Sequence, residues 1–195
     1  MISGSGINFK LLPDEQYDNP LGEGTGAAVI FGATGGVMEA ALRTAVKTLT
    51  GEDPAYPEFT EVRGMDGVKE ATYSVGGLDI KVCIASGTKN AKTVMDKVAS
   101  GECDYTFIEI MGCPGGCING GGQPIQPASV RNFVDVKSLR ASVLYKSDAA
   151  KEVRFSHENR AVKRVYDEFF GEPGSHKAHE VLHTSYVKRG LYNEQ

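Results

Sequence analysis

The spacing of apolar positions changes several times along the chain, and each change marks an element. Residues 1–26 show little periodicity and carry turn residues at Pro13-Asp14-Glu15 and Asp18-Asn19-Pro20, so they read as loop. Ala28-Val29-Ile30-Phe31 is a short apolar run. Residues 37–50 put Val37, Ala41, Leu42, Ala45, Val46 and Leu49 on one helical face, with Gly51 as a stop. Alternation takes over in residues 69–75 and 78–85, which flank Gly76-Gly77, a two-residue hairpin signal. Residues 89–99 return to a helical period, with Thr88 as the expected cap and Gly101 as the stop. Residues 105–110 then read as a buried strand. Beyond it, residues 130–145 and 160–170 read as helices, with a shorter one over 175–186 after Gly171-Glu172-Pro173-Gly174.

A hairpin followed by strand–helix–strand order across residues 78–110 predicts an α/β class: a mixed sheet with flanking helices and at least one right-handed parallel crossover. The character shifts near Ser147, after which the chain is helical, charged and holds all four histidines. Roughly 45 residues are marginal for an independent core, so this part is expected to be a helical C-terminal arm packed on the α/β part. Its apolar positions Val162, Val165, Tyr166, Phe169 and Phe170 need a partner surface.

Composition narrows the function classes. The 195 residues are 41% hydrophobic and 24% charged with a net charge of −4, which fits a globular protein and argues against a nucleic-acid surface. No apolar run approaches the roughly 18 residues that a membrane span needs. Neither a basic n-region nor an apolar h-region opens the chain, so a cytoplasmic location with reduced thiols is expected. Four cysteines are too few for a disulfide scaffold. The unusual count is glycine: 24 in all, with Gly112, Gly115, Gly116, Gly120, Gly121 and Gly122 crowded around Cys113 and Cys117. Two thiols four apart on a glycine-rich loop after a strand can face one inorganic centre, with backbone N–H groups free to point at cluster sulfides. A C-x₂-C pair would suit zinc; C-x₃-C with so little side-chain bulk suits a larger iron–sulfur object.

Glu109-Ile110-Met111-Gly112-Cys113-Pro114-Gly115-Gly116-Cys117, followed by Gly120-Gly121-Gly122-Gln123-Pro124, resembles the third cysteine motif of the iron-only ([FeFe]) hydrogenases. Pro20-Leu21-Gly22-Glu23 and the block from Ile30 through Gly32, Gly35-Gly36 and Val37 to Ala41 also resemble that family. The segment from Asn159 through Ser175-His176-Lys177-Ala178-His179 to Tyr186 is similar to its small-subunit part. The resemblance implies that residues 1–146 form the C-terminal lobe of the hydrogenase H-cluster domain and 147–195 a small-subunit-like tail. It implies an H-cluster cofactor, a [4Fe–4S] cubane joined through a cysteine sulfur to a diiron unit with CO, cyanide and a dithiolate. Cys113 aligns with a terminal cubane ligand and Cys117 with the bridging ligand. Met111 aligns with an apolar residue beside the diiron unit, and Phe31, Gly32 and Val37 with further cofactor-side positions.

The family's other two cluster cysteines lie in motifs of the form T-S-C-C-P and M-P-C-x-x-K, and neither occurs in this sequence. The proton-relay cysteine goes with them. The resemblance therefore implies a complementary chain or half bearing those motifs, an electron carrier such as ferredoxin, and ferredoxin-type clusters outside this chain. It leaves open a non-catalytic scaffold of the iron–sulfur assembly and prelamin-recognition type, and a sensory hydrogenase-like protein. Gly115 and Met111 favour hydrogenase over the scaffolds, which usually carry Ser after the proline.

Other candidates read as structure. Cys83 sits in an apolar strand and reads as core, and Cys103 precedes the next strand. Neither is expected to pair with Cys113 or Cys117. His176, His179 and His183 share a helical face, but nothing completes a zinc site, so packing and capping are the better reading. Gly22-x-Gly24-x-x-Ala27 lacks the strand that a dinucleotide fingerprint requires. Gly35-Gly36 opens a helix whose N-terminus favours an anion.

Overall fold

The computed structural model describes residues 2–18, 21–22 and 24–190; Asn19, Pro20 and Glu23 of the turn and motif named above lie outside the described residues. After an exposed N-terminal stretch, Thr25 caps a single helical turn, α1 (Gly26–Val29), which tightens into a 3-10 turn over Ile30–Gly32. The long helix α2 (Gly36–Thr50) follows and ends at Gly51 as expected. Strands β1 (Val68–Val75) and β2 (Leu78–Ser86) pair antiparallel through Gly76-Gly77, whose φ values of 59° and 82° match a hairpin turn that only glycine enters cheaply. Helix α3 (Thr88–Ser100) leads to β3 (Phe107–Met111), which lies parallel to β2. The strand order is β1-β2-β3, so the sheet is mixed and β2 is its centre.

Alternation on β2 builds both faces of the core. Val82 and Ile84 turn toward Met38 and Leu42 of α2, with Phe59 and Val62 closing that side. Cys83 and Ala85 turn the other way, onto Val94 of α3. Each of these β2 side chains is at most 1% exposed. A third cluster forms around Ala33 and Ile118 under the helical region that follows, α4 (Ala128–Arg131) and α5 (Val136–Ala149), with Ala141 and Leu144 of α5 as its contacts.

Four expectations need correction. Thr88 is the first residue of α3 and not its cap, a position taken by Gly87. Strand β3 is not buried: it has a single hydrogen-bonded neighbour, and Phe107 and Ile110 stay 43% and 47% exposed. The predicted helix over 130–145 breaks in two because Asp135 turns its carboxylate onto the Ser138 amide at 3.1 Å and starts a new helix. The last two helices are shorter than their patterns: α6 (Arg160–Val165) passes into a π turn over Tyr166–Phe170, and α7 (His176–Leu182) stops before residues 183–190, which form no regular element.

The C-terminal arm joins the α/β part through charge and backbone more than through apolar area. Gly26 and Ala27 donate backbone bonds of 2.9 Å to Val153 and Arg154. Arg43 of α2, fully buried, donates to both oxygens of Asp148 (2.9 and 2.8 Å) and to Glu39 (2.8 Å). Arg154 adds a 2.6 Å bond to Asp148, and His157 meets Asp53 at 2.7 Å. Burial alone would raise the Asp148 carboxyl, but the Arg43 and Arg154 guanidiniums hold it below the usual carboxylate range. Of the apolar positions expected to need a partner surface, Tyr166, Phe169 and Phe170 meet one another at tilted and edge-on angles, with Phe169 51% exposed.

A buried charge stripped of its partner is costly, about 3–5 kcal/mol. Arg43→Met, which fills similar space and leaves Asp148 with Arg154 and Glu39 with Arg63 as remaining partners, is expected to lower unfolding free energy by about 2–3 kcal/mol in urea denaturation, below the figure for a fully unpaired charge. Lys92→Ala, which removes an exposed pair with Asp96, is expected to cost under about 0.5 kcal/mol. Equal effects would show that the buried network does not anchor the arm.

Candidate metal centre

The loop after β3 is held from inside by glycine and shows its thiols outward. Gly115 and Gly116 are buried, whereas Cys113 and Cys117 on either side of them are exposed. Thr34 donates its amide to the Gly115 carbonyl at 3.1 Å. A Cβ on Gly116 would come 2.6 Å from the Gly32 carbonyl oxygen and 2.7 Å from the Thr34 nitrogen, at a φ of +99°. Only glycine permits this approach. The loop then closes on itself through Gly116 N–H to Cys113 O, Asn119 N–H to Gly116 O and Gly120 N–H to Cys117 O, each 3.0 Å. Arg140 of α5 fixes its far end by donating to Ile118 O at 2.9 Å and Pro124 O at 3.0 Å.

Cys113 and Cys117 both line one concavity of about 510 Å³, with Val37, Met111 and the exposed side of β3 as its other walls. Phe31 and Gly32 are not part of that lining. Gly32 is turned inward, where a Cβ would meet Leu144 Cδ1 at 2.8 Å, and Phe31 is 43% exposed on the preceding turn. All four cysteines are free thiols, so the expected absence of pairing with Cys83 or Cys103 holds. Cys83 is fully buried, and burial pushes its thiol up, as suits a core residue. Cys103 faces a separate concavity of about 420 Å³ among Glu70, Lys81, Lys97 and Asp104. His179 and His183 contact each other at 2.9 Å, and no metal-holding cluster of three His, Cys, Asp or Glu side chains occurs among the described residues.

Two residues beneath the loop escaped the sequence reading. Glu109 of β3, 6% exposed, accepts from the amides of Gly35 (2.6 Å) and Met38 (2.7 Å). The anion expected at the N-terminus of α2 is thus the chain's own carboxylate. Lys69 of β1, 7% exposed, donates from Nζ to Thr34 O and Gly64 O, each 3.0 Å. The signal was present in β3, where Glu109 is the single charge among apolar residues, but not in β1, where Lys69 stands beside Glu70. Burial lowers the Lys69 ammonium from 10.5 to about 8 against the pull of Glu109 and Asp66.

The donor set fits an iron–sulfur centre in part. Two soft thiols open onto a shared cavity with an apolar rim, two of the four ligands that a cubane takes. No helix among the described residues is long and apolar enough to cross a membrane.

Comparison with known proteins agrees with this arrangement. The family model for the iron-only hydrogenase large subunit, C-terminal domain, matches residues 1–121, and that for the iron hydrogenase small subunit matches residues 134–189. The chain belongs to the iron-only hydrogenase family. It is 47% identical over 189 residues to the NADP-reducing hydrogenase subunit HndD of Solidesulfovibrio fructosivorans, a match covering 97% of this chain and 32% of that protein. It is 44% identical to iron hydrogenase 1 of Clostridium pasteurianum, covering 96% of this chain and 33% of the relative. A solved variant of the [FeFe]-hydrogenase HydA1 from Chlamydomonas reinhardtii superposes with a TM-score of 0.67 at 38% identity, over 97% of this chain and 53% of that one. Protein NAR1 of Arabidopsis thaliana is related too, 33% identical over 95% of this chain and 40% of its own length. The chain thus spans about a third of the first two relatives and about half of the solved hydrogenase.

Gly116→Ala forces a Cβ into backbone at a left-handed φ, and is expected to cost at least about 2 kcal/mol in denaturant melts. The proton on Lys69 gives a second test. The unfolded chain binds that proton more tightly, so charged Lys69 costs stability at neutral pH, and the cost lifts between pH 8 and 10.5. Wild type is therefore expected to gain up to about 3 kcal/mol relative to Lys69→Met across that window. A pH-independent difference would show that burial does not perturb Lys69.

Proposed function

We propose that this chain forms one wall of a hydrogenase active centre, where protons, electrons and H₂ interconvert, and supplies two of its cluster cysteines. The observation that carries the reading is the placement of Cys113 and Cys117 on one concavity beside Met111, Val37 and the exposed edge of β3. Cys113 would hold the cubane as a terminal ligand and Cys117 would bridge it to the diiron unit. When bound, that group supplies the redox chemistry. This chain's part is ligation, the exclusion of water by Met111 and Val37, and a rigid loop.

Proton delivery is assigned to a complementary half. Glu109 is the one carboxylate lining the concavity among the described residues, and both of its oxygens are held by backbone amides. That leaves no positioned acid or base here, a group typically worth about 10²–10⁴ in rate. The complementary half would carry the T-S-C-C-P and M-P-C-x-x-K ligands, and a ferredoxin-type carrier would bring electrons. The reducing cytoplasm suits open thiols such as these.

The relationship to proteins such as the probable cytosolic Fe-S cluster assembly factor of Culex quinquefasciatus supports a second reading, a non-catalytic iron–sulfur assembly role. Both are tested by supplying cluster and diiron precursor to the chain alone and to the chain with a companion bearing the two motifs, then assaying H₂ from reduced viologen. Turnover is expected only from the pair. Cys117→Ala should abolish it, and Cys113→Ala should lower bound iron. Turnover by the lone chain would overturn the two-part centre, and a fully loaded but inactive pair would favour the assembly role.

A further inference from the structure

The thiol loop has no strong hold of its own on the sheet. Its direct bond there is the long one from the Gly115 amide to Ser86 Oγ, 3.4 Å. Its close contact is with the Gly32–Thr34 backbone, through Thr34 N–H to Gly115 O and the bare Cα of Gly116. That turn is gripped from two strands at once. Lys69 on β1 takes its Thr34 carbonyl, and Glu109 on β3 takes the Gly35 and Met38 amides just after it. Opposite charges on the two outer strands of the sheet thus hold Thr34 and Gly35 of the turn and Met38 in the first turn of α2, and both side chains are more than nine-tenths buried.

We propose that Lys69 and Glu109 are positioning residues for the metal site: they clamp the Ala33–Gly36 turn and, through it, set the Gly115–Gly116 backbone that orients the Cys113 and Cys117 thiols. The metal part rests on the hydrogenase reading above; the clamp rests on geometry alone. Both residues direct their hydrogen bonds to backbone and none to the thiols: Lys69 acts through the turn, and Glu109, although it also lines the concavity, has both oxygens committed to the Gly35 and Met38 amides. A buried hydrogen bond to an ion is worth more than a neutral one, and losing it leaves the Thr34 carbonyl without its donor. The effect falls on the direction of the thiols more than on the survival of the fold, because β2 and the α2 face keep their own packing.

Hydrogen exchange reads the clamp without any metal. In the unaltered chain, the amides of Thr34, Gly35, Met38 and Gly116 are expected to open as one unit, with equal opening free energies. In Lys69→Met and Glu109→Gln, exchange at Thr34 and Gly116 is expected to speed up about tenfold, while amides of Val82 to Ala85 in β2 keep their rates. Independent opening of the four amides in the unaltered chain would overturn the clamp even if both variants failed to fold. So would an equal rise in β2, which marks general loss of stability, or unchanged rates at Thr34 and Gly116. The metal consequence is read on the chain assembled with its companion: about tenfold weaker iron retention and an altered electron paramagnetic resonance spectrum of the reduced cluster. Unchanged iron and spectrum in a variant whose loop has loosened would overturn the positioning role. An unaltered assembly that takes up no iron, with the exchange pattern intact, would overturn the hydrogenase reading and leave the clamp standing.

Discussion

The structure depends on one close approach, the backbone of Gly115-Gly116 laid against the Gly32–Thr34 turn. It joins the end of β3 to the start of α2, and so ties the thiol loop to the longest helix in the chain. A side chain at Gly116 would collide with backbone, which cannot swing aside as a side-chain tip can. With the two glycines fixed inward, the flanking cysteines have only the outward side left. Ligand placement here is a consequence of backbone packing, and the thiols need no hydrogen-bonded partners of their own to be presented.

The same construction explains the shape of the exposed face. The central strand β2 is saturated on both sides by α2 and α3, whereas β3 has a neighbour along one edge only. Phe107, Ile110 and Met111 therefore stand at a margin that also holds Cys113 and Cys117. An apolar margin beside two open thiols is poor design for a surface facing water and good design for a half-built cavity. The charged network of Arg43, Glu39, Asp148 and Arg154 starts from the first half of α2 and ties the arm to that helix.

Much of this is legible in the amino-acid sequence. Helix α2, the Gly76-Gly77 hairpin and α3 form where their periods and turn residues put them, but the buried face of α2 is not the expected one: Met38, Glu39, Ala40 and Arg43 are buried with Leu42, and Leu49 is 45% exposed, because the Arg43 ion pairs turn that side inward. The cysteine–glycine loop was legible as a site, since nothing in ordinary packing calls for so many glycines around two thiols. What stayed hidden depended on partners distant in sequence. The FIEIM run of β3 looks buried, and its edge position follows from sheet order, which residue pattern does not encode. Glu109 and Lys69 sit 40 residues apart and read as ordinary strand charges until the Ala33–Gly36 turn appears between them. Phe31 and Gly32 fit the family's motif, yet a 3-10 turn carries them away from the concavity that Val37 and Met111 line. The break before α5 turned on one side-chain cap at Asp135.

The central claim is that Cys113 and Cys117, presented by this loop, bind one iron centre completed from outside the chain. Selenium absorption spectroscopy tests it most directly. Selenocysteine is placed at Cys113, at Cys117 or at Cys103 in turn, each chain is assembled with its companion and loaded, and the immediate neighbours of selenium are measured. The account predicts iron bonded to selenium at positions 113 and 117 and none at 103. Iron at 103, or at neither loop position in an assembly that contains iron, would contradict it.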